Sequence, residues 1–170
     1  MAFLETRAPD GRRWTLVEWI QGKPIGVATH SMFVHFPVAF YLAVIAFDVM
    51  SRITPSPGLV LTGSYLLIGA GAATAIAAFL GLVDWFGMIS GSSKKRLATR
   101  HMLLQLTAAG FFIVAFIMRW PNRGLAEART SWIVVEIVGY LVLIVGQHLG
   151  GLLVYSRGMR VRTGGGAEAS

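Results

Sequence analysis

The chain has 170 residues, 55% of them apolar and 14% charged, with a formal net charge of +7. Its mean hydropathy of +0.63 is too high for a soluble domain, which must cover its core with polar surface. The absence of cysteine excludes disulfides, iron–sulfur clusters, thiolate metal sites and covalently attached c-type haem from these residues.

Residues 1–29 carry Arg7, Arg12, Arg13 and Lys23 and no continuous apolar run. They read as a cytoplasmic or interfacial segment rather than a cleavable signal. Within them Trp14, Val17, Trp19 and Ile20 suit either a stretch lying on the membrane surface or a short packed turn. Four apolar stretches follow, at 32–52, 59–83, 97–119 and 132–155. Each reaches the roughly 20 residues that a helix needs to cross the hydrocarbon layer. Helices satisfy their own backbone in lipid, and no alternating barrel pattern competes.

The connections are short and locally encoded. "RITPSPG" (52–58) and "RWPNRG" (119–124) stop spans one and three with proline and glycine, and "GMISGSSKKR" (87–96) forms a basic turn after span two. Short loops favour antiparallel neighbours, so the prediction is an all-α membrane protein: an up-down four-helix transmembrane bundle over 30–157, with a flexible tail at 158–170. Eleven of the 15 Lys and Arg residues lie in the N-terminal segment, the middle loop and the tail. The positive-inside bias therefore puts both termini in the cytoplasm, as in a multi-pass protein of a bacterial-type inner membrane. The basic charge reflects that bias and anionic lipid; no basic groove with aromatic platforms points to nucleic acid. Span two is rich in small residues (Gly63, Gly69, Gly71, Ala73, Ala77, Ala78 and Gly81). These let helices approach closely and make Gly71 and Ala78 expected contact positions; they would equally leave room for a flat cofactor.

In this topology His30, His35, Asp84, His101 and His148 all fall in the cytoplasmic half. Ionisable groups within spans are rare and usually face the bundle interior. His35 and His101 start spans one and three, which are diagonal in an up-down bundle, at about equal depth. Such a pair can hold one haem iron from both faces, as in bis-histidine b-type cytochromes. His148 is an alternative ligand or hydrogen-bond partner, and Arg100, with Arg96, lies at the rim where propionates want cations. A helix turns 100° per residue, so His30 and His35 point in opposed directions, and His30 is expected to be dispensable for the cofactor. A non-haem site for a divalent metal from His30, His35, Asp84 and His101 is the other arrangement, although no HExxH-like spacing supports it. Asp84 suits a partner that fixes an imidazole tautomer. Each histidine also has the plain reading of an interfacial or capping residue. At the opposite face Asp48 with Arg52, at i,i+4, and Glu136 with Arg119 read as paired structural charges.

The stretches "GKPIG…HSMFVHFPVAF", "GLVDW", "RHMLL" and "GGLLVYSRGMRV" resemble the predicted membrane proteins of domain-of-unknown-function family 2231, over residues 21–162. The resemblance implies a four-helix membrane domain and matches His30, His35, Pro37, Asp84, His101, Gly150 and Gly151 to family positions. It also implies electron transfer, because family members occur fused to Rieske or c-type cytochrome modules. The family often has His-Pro where this chain has His30–Ser31, and His148 is not a typical family position.

These readings converge on a b-type cytochrome-like electron-transfer subunit with haem b, a redox partner and no independent catalytic activity. The alternatives are a structural accessory subunit of a larger respiratory or photosynthetic membrane complex, with no cofactor, and a metal-binding membrane protein.

Overall fold

The computed structural model describes residues 7–159. Among them six α-helices and two 3-10 turns, but no strand, follow one another. A short α1 (Leu16–Ile20) precedes α2 (Thr29–Phe33), α3 (His35–Ile53), α4 (Pro57–Phe86), α5 (Ser93–Arg119) and α6 (Thr130–Tyr155). Helices α2 and α3 together form one 25-residue apolar span, Thr29–Ile53, and α4, α5 and α6 provide the other three. The predicted tail lies outside the described residues from 160 onward.

Local chemistry sets the boundaries. Pro37 has no N–H for the Phe33 carbonyl and its ring crowds that turn, which separates α2 from α3 at Val34. Pro57 starts α4, where its missing N–H costs nothing. The Ser92 hydroxyl accepts from the Lys95 N–H at 3.1 Å and caps α5.

Helix α3 packs mainly on α4 and α5 on α6; α3 also touches α6, and α4 touches α5. At the centre the Tyr41 ring of α3 stacks on Phe112 of α5, with centroids 3.6 Å apart, and its hydroxyl bonds Thr74 of α4 at 2.9 Å. Around them Val44, Leu67, Ala70, Ala108 and Leu143 complete the core. The outer surface is the reverse of a soluble protein's: Leu42, Ile68, Ile113, Ile117 and Leu141 are exposed, while Asp48, Ser64, Arg119 and Glu136 are wholly buried. Apolar outside and polar inside is what a hydrocarbon solvent selects.

The inward faces follow a seven-residue rhythm. In α3 the buried residues are Pro37, Tyr41, Val44, Asp48 and Ser51, and in α6 Trp132, Glu136, Gly139, Leu143, Gly146 and Leu153. Span two departs from the expected contact positions. Gly63, Ala70 and Ala77 are buried, whereas Ala78 is exposed and a methyl group on Gly71 would meet nothing within 4 Å. The close approaches lie elsewhere: a Cβ on Gly139 would stand 2.7 Å from Phe111 Cβ, and one on Gly146 2.7 Å from Gln105 Nε2. Gly139→Leu is therefore expected to lower stability in detergent by about 1–3 kcal/mol through overpacking. Gly71→Leu should stay within about 0.5 kcal/mol of wild type. Thermal unfolding of the two variants side by side checks both.

The opposed charges pair differently from the i,i+4 expectation. Arg52 turns to Glu127 at 2.8 Å, and Asp48 instead joins Arg119, at 2.8 Å, because its place on the buried stripe points it away from the exposed Arg52. Arg119 also holds Glu136 at 2.9 Å, as the sequence suggested. Ser51 links the same end of the bundle, its hydroxyl accepting from the Ala128 N–H at 2.9 Å.

The N-terminal segment folds as a packed turn built on Glu18. That carboxylate accepts from Arg12 Nη1 at 2.7 Å and Nη2 at 2.8 Å, from Lys23 Nζ at 3.0 Å, and from the Thr15 N–H and hydroxyl, each at 3.0 Å. Leu16, Val17 and Trp19 stay exposed on its outer side, and Gln21 donates to the Val83 carbonyl of α4 at 3.4 Å. The Arg12 hydrogen bonds, then those from Thr15 and Lys23, hold the Glu18 carboxyl well below the usual carboxylate range. A carboxyl lowered in the folded state contributes its full stability above its unfolded value, about 4.3, and loses it as pH falls further. Hydrogen exchange over residues 12–23 should thus quicken several-fold in Glu18→Gln at neutral pH. In wild type the protection, taken relative to the slower intrinsic exchange in acid, should fall only on acidification below that value.

Candidate cofactor site

At one end of the bundle the start of the first span, the end of α4, the start of α5 and the end of α6 meet around two imidazoles. His30 lies seven residues before Pro37 and fourteen before Val44, so it continues the buried stripe of α3 back across the break. His101 stands seven residues before Ala108 and fourteen before Ala115 on the inner face of α5. The two ring centroids are 6.3 Å apart and the ring planes cross at 79°.

Each ring is fixed by the neighbouring helix of its own pair. His30 Nδ1 lies 2.8 Å from the Ala77 carbonyl of α4, and His101 Nδ1 lies 2.7 Å from the Gly146 carbonyl of α6. A carbonyl only accepts, so each Nδ1 carries the hydrogen and donates it. Each Nε2 of the neutral ring is left with its lone pair, the arrangement of a metal-ligating imidazole. Glycines make the space: a Cβ on Gly81 would stand 2.9 Å from His30 Cε1, and one on Gly150 3.0 Å from His101 Cε1. Asp84, buried one turn beyond Gly81, lies within electrostatic reach of His30.

The other residues expected at the site lie apart from this pair. His35 is exposed, with Nδ1 3.3 Å from the Met32 carbonyl of its own turn. It sits two residues before the buried Pro37, about 200° around the helix, and so points away from the interior. His148 is likewise exposed, two residues past the buried Gly146. Arg100 is exposed beside a shallow pocket of about 490 Å³ lined by Trp85, Lys95, Arg96 and Thr99 as well. Trp85 Nε1 donates to Thr99 Oγ1 at 2.9 Å and Lys95 lies over the indole at 4.1 Å, which ties the end of α4 to the start of α5. No group of three or more His, Asp or Glu side chains converges as a metal cage among the described residues.

The signal that singles out His30 is its spacing. Residues 30, 37, 44 and 51 fall at intervals of seven, as do 101, 108 and 115, and an interval of seven returns a helix to nearly the same face. Depth along the helix alone does not separate His30 from His35.

Comparison with curated proteins and with solved structures finds no match. The family described as "Predicted membrane protein (DUF2231)" matches residues 26–163, which include all four spans and both imidazoles of the pair. The chain thus belongs to this family of multi-pass membrane proteins.

Proposed function

We propose that the protein is a b-type cytochrome-like electron-transfer subunit, with haem held by His30 and His101. One observation carries the reading: two imidazoles from different helix pairs, each bonded through Nδ1 to a backbone carbonyl, stand with centroids 6.3 Å apart and no third side-chain ligand converging on them among the described residues. A bare divalent metal needs three or four protein ligands, whereas a porphyrin brings four nitrogens of its own and asks the protein for two. His30 and His101, with ring centroids 6.3 Å apart, would hold the group. When bound, haem supplies one-electron chemistry.

The chain's own residues supply the rest. The Ala77 and Gly146 carbonyls hold both tautomers so that Nε2 is free to ligate. Asp84 lies buried one turn beyond Gly81 on α4, at the His30 side of the site. Arg100, exposed at the rim, is placed to receive anionic groups. These residues suit a subunit that passes electrons to a redox partner in the membrane. The alternating up-down topology with cytoplasmic termini in a bacterial-type inner membrane completes the proposal. Reporters fused at residues 1 and 170 should signal from the cytoplasm and one in 121–129 from outside. A terminus reporting from outside overturns that orientation.

The test is the absorption spectrum of protein purified after haem-replete expression. A Soret band with one haem per chain supports the proposal. A colourless protein overturns it, and elemental analysis of the same sample tests a non-haem metal.

A further inference from the structure

The end of the bundle remote from the histidines holds a second buried polar site, and its charges do not balance. Arg119 gives Nη2 to Asp48 Oδ1 at 2.8 Å, Nη1 to Glu136 Oε1 at 2.9 Å, Nε to Ser64 Oγ at 3.2 Å, and Nη2 also to the Val60 carbonyl at 3.1 Å. All three charged side chains have zero exposure. The second oxygen of each carboxyl, Asp48 Oδ2 and Glu136 Oε2, is buried and receives no hydrogen bond from any other group. Both carboxyl groups are held on the same guanidinium, Asp48 on Nη2 and Glu136 on Nη1.

Among the described residues, no second cation pairs with either carboxyl group. Helix α4 contributes only the Ser64 hydroxyl and the Val60 carbonyl. Arg52 is engaged at the surface by Glu127. Arg129 lies 5.9 Å from the Trp132 ring, which Arg119 approaches to 5.6 Å, and its Nη2 donates to Asn122 Oδ1. Arg123 lies over Trp120 at 4.4 Å. Two ionised carboxylates against one guanidinium would leave a net negative charge and two like-charged, unpartnered oxygens in a low-dielectric interior.

We infer that Asp48 and Glu136 hold one proton between them, making the Asp48–Arg119–Glu136 triad a neutral proton-binding site in the half of the bundle away from the histidines. One proton on the pair removes the surplus negative charge and brings the triad to zero charge. The pair binds and releases that proton as a unit rather than as two separate acids.

Infrared spectroscopy of the purified full-length protein at neutral pH reads this directly. The expected result is a carboxylic-acid C=O band, shifted in D₂O, that is lost in both Asp48→Asn and Glu136→Gln and kept in Asp84→Asn. Each single amide replaces a protonated carboxyl in shape and offers an N–H, so both should melt within a few degrees of wild type. The double variant, which strands Arg119, should melt far lower. If a single variant fails to fold, the wild-type protein labelled with ¹³C in its aspartate carboxyls and then in its glutamate carboxyls serves instead; both labels should move the band. A wild-type protein with no such band, a band that survives both single variants, or stability that depends on Na⁺ over K⁺ without the band each overturns the inference, the last in favour of a metal cation.

Discussion

His30→Ala and His101→Ala are each expected to abolish haem binding, while His35→Ala and His148→Ala leave haem content unchanged. The first two remove a nitrogen whose ring is held against a backbone carbonyl on the adjacent helix; the second two alter rings on exposed helix faces. This reverses the expectation that His30 is dispensable. Gly81→Ala should act on the same site without touching a ligand. Its new methyl would stand 2.9 Å from His30 Cε1 and 3.1 Å from Nδ1, the atom bonded to the Ala77 carbonyl, so the ring must shift. Asp84→Asn should weaken cofactor affinity about 10–100-fold, the usual effect of removing an outer partner. Haem content per chain, read from the absorption of matched preparations, checks the set. Full haem in His30→Ala with none in His35→Ala would return the ligand role to His35.

Arg119→Met is expected to be the most destabilising single change in the remote half. It removes the one cation that two fully buried carboxyl groups share, together with its bonds to Ser64 and Val60. Breaking a buried ion pair from one side costs about 3–5 kcal/mol. Arg119→Lys should recover part of that, because an ammonium keeps the charge but lacks the planar fork that reaches Asp48 and Glu136 at once. Unfolding in mixed micelles measures both variants. Stability of Arg119→Met within about 0.5 kcal/mol of wild type would show that the triad contributes nothing.

Hydropathy alone located the four spans, because 20 apolar residues in a row have few other uses. The helices run past the apolar windows: α4 begins at Pro57 rather than 59 and ends at Phe86 rather than 83, and α5 begins at Ser93 rather than 97. Capping groups and proline, which a hydropathy window averages away, set those ends. Depth was legible too. His30, His101 and Asp84 do gather at one end. Rotation about the helix axis was harder to read, since in lipid both faces of a span are apolar and only a seven-residue interval marks the inner one. Counting depth favoured His35, Gly71 and Ala78; the stripe through Pro37 and Val44 picks out His30, and that through Gly63, Ala70 and Ala77 picks out the packed face of α4. Asp48 joined Arg119 rather than Arg52 for the same reason. An i,i+4 rule describes an isolated helix, whereas a bundle chooses partners across its interior.

The ion triad also bears on how the molecule is made. Its parts are unevenly divided: Asp48 belongs to the first pair of helices, while Arg119 and Glu136 both belong to the second. As the chain emerges from the ribosome, the first pair enters the bilayer with Asp48 still lacking Arg119, at a cost of up to about 2.5–3.5 kcal/mol that shrinks toward the end of the span. The second pair arrives with its own salt bridge formed and a guanidinium arm to spare. Capture of Asp48 by that arm ends the wait of the early half, so the late half completes the early one. A chain truncated after α4 leaves Asp48 in the hydrocarbon without the guanidinium that holds it in the complete bundle.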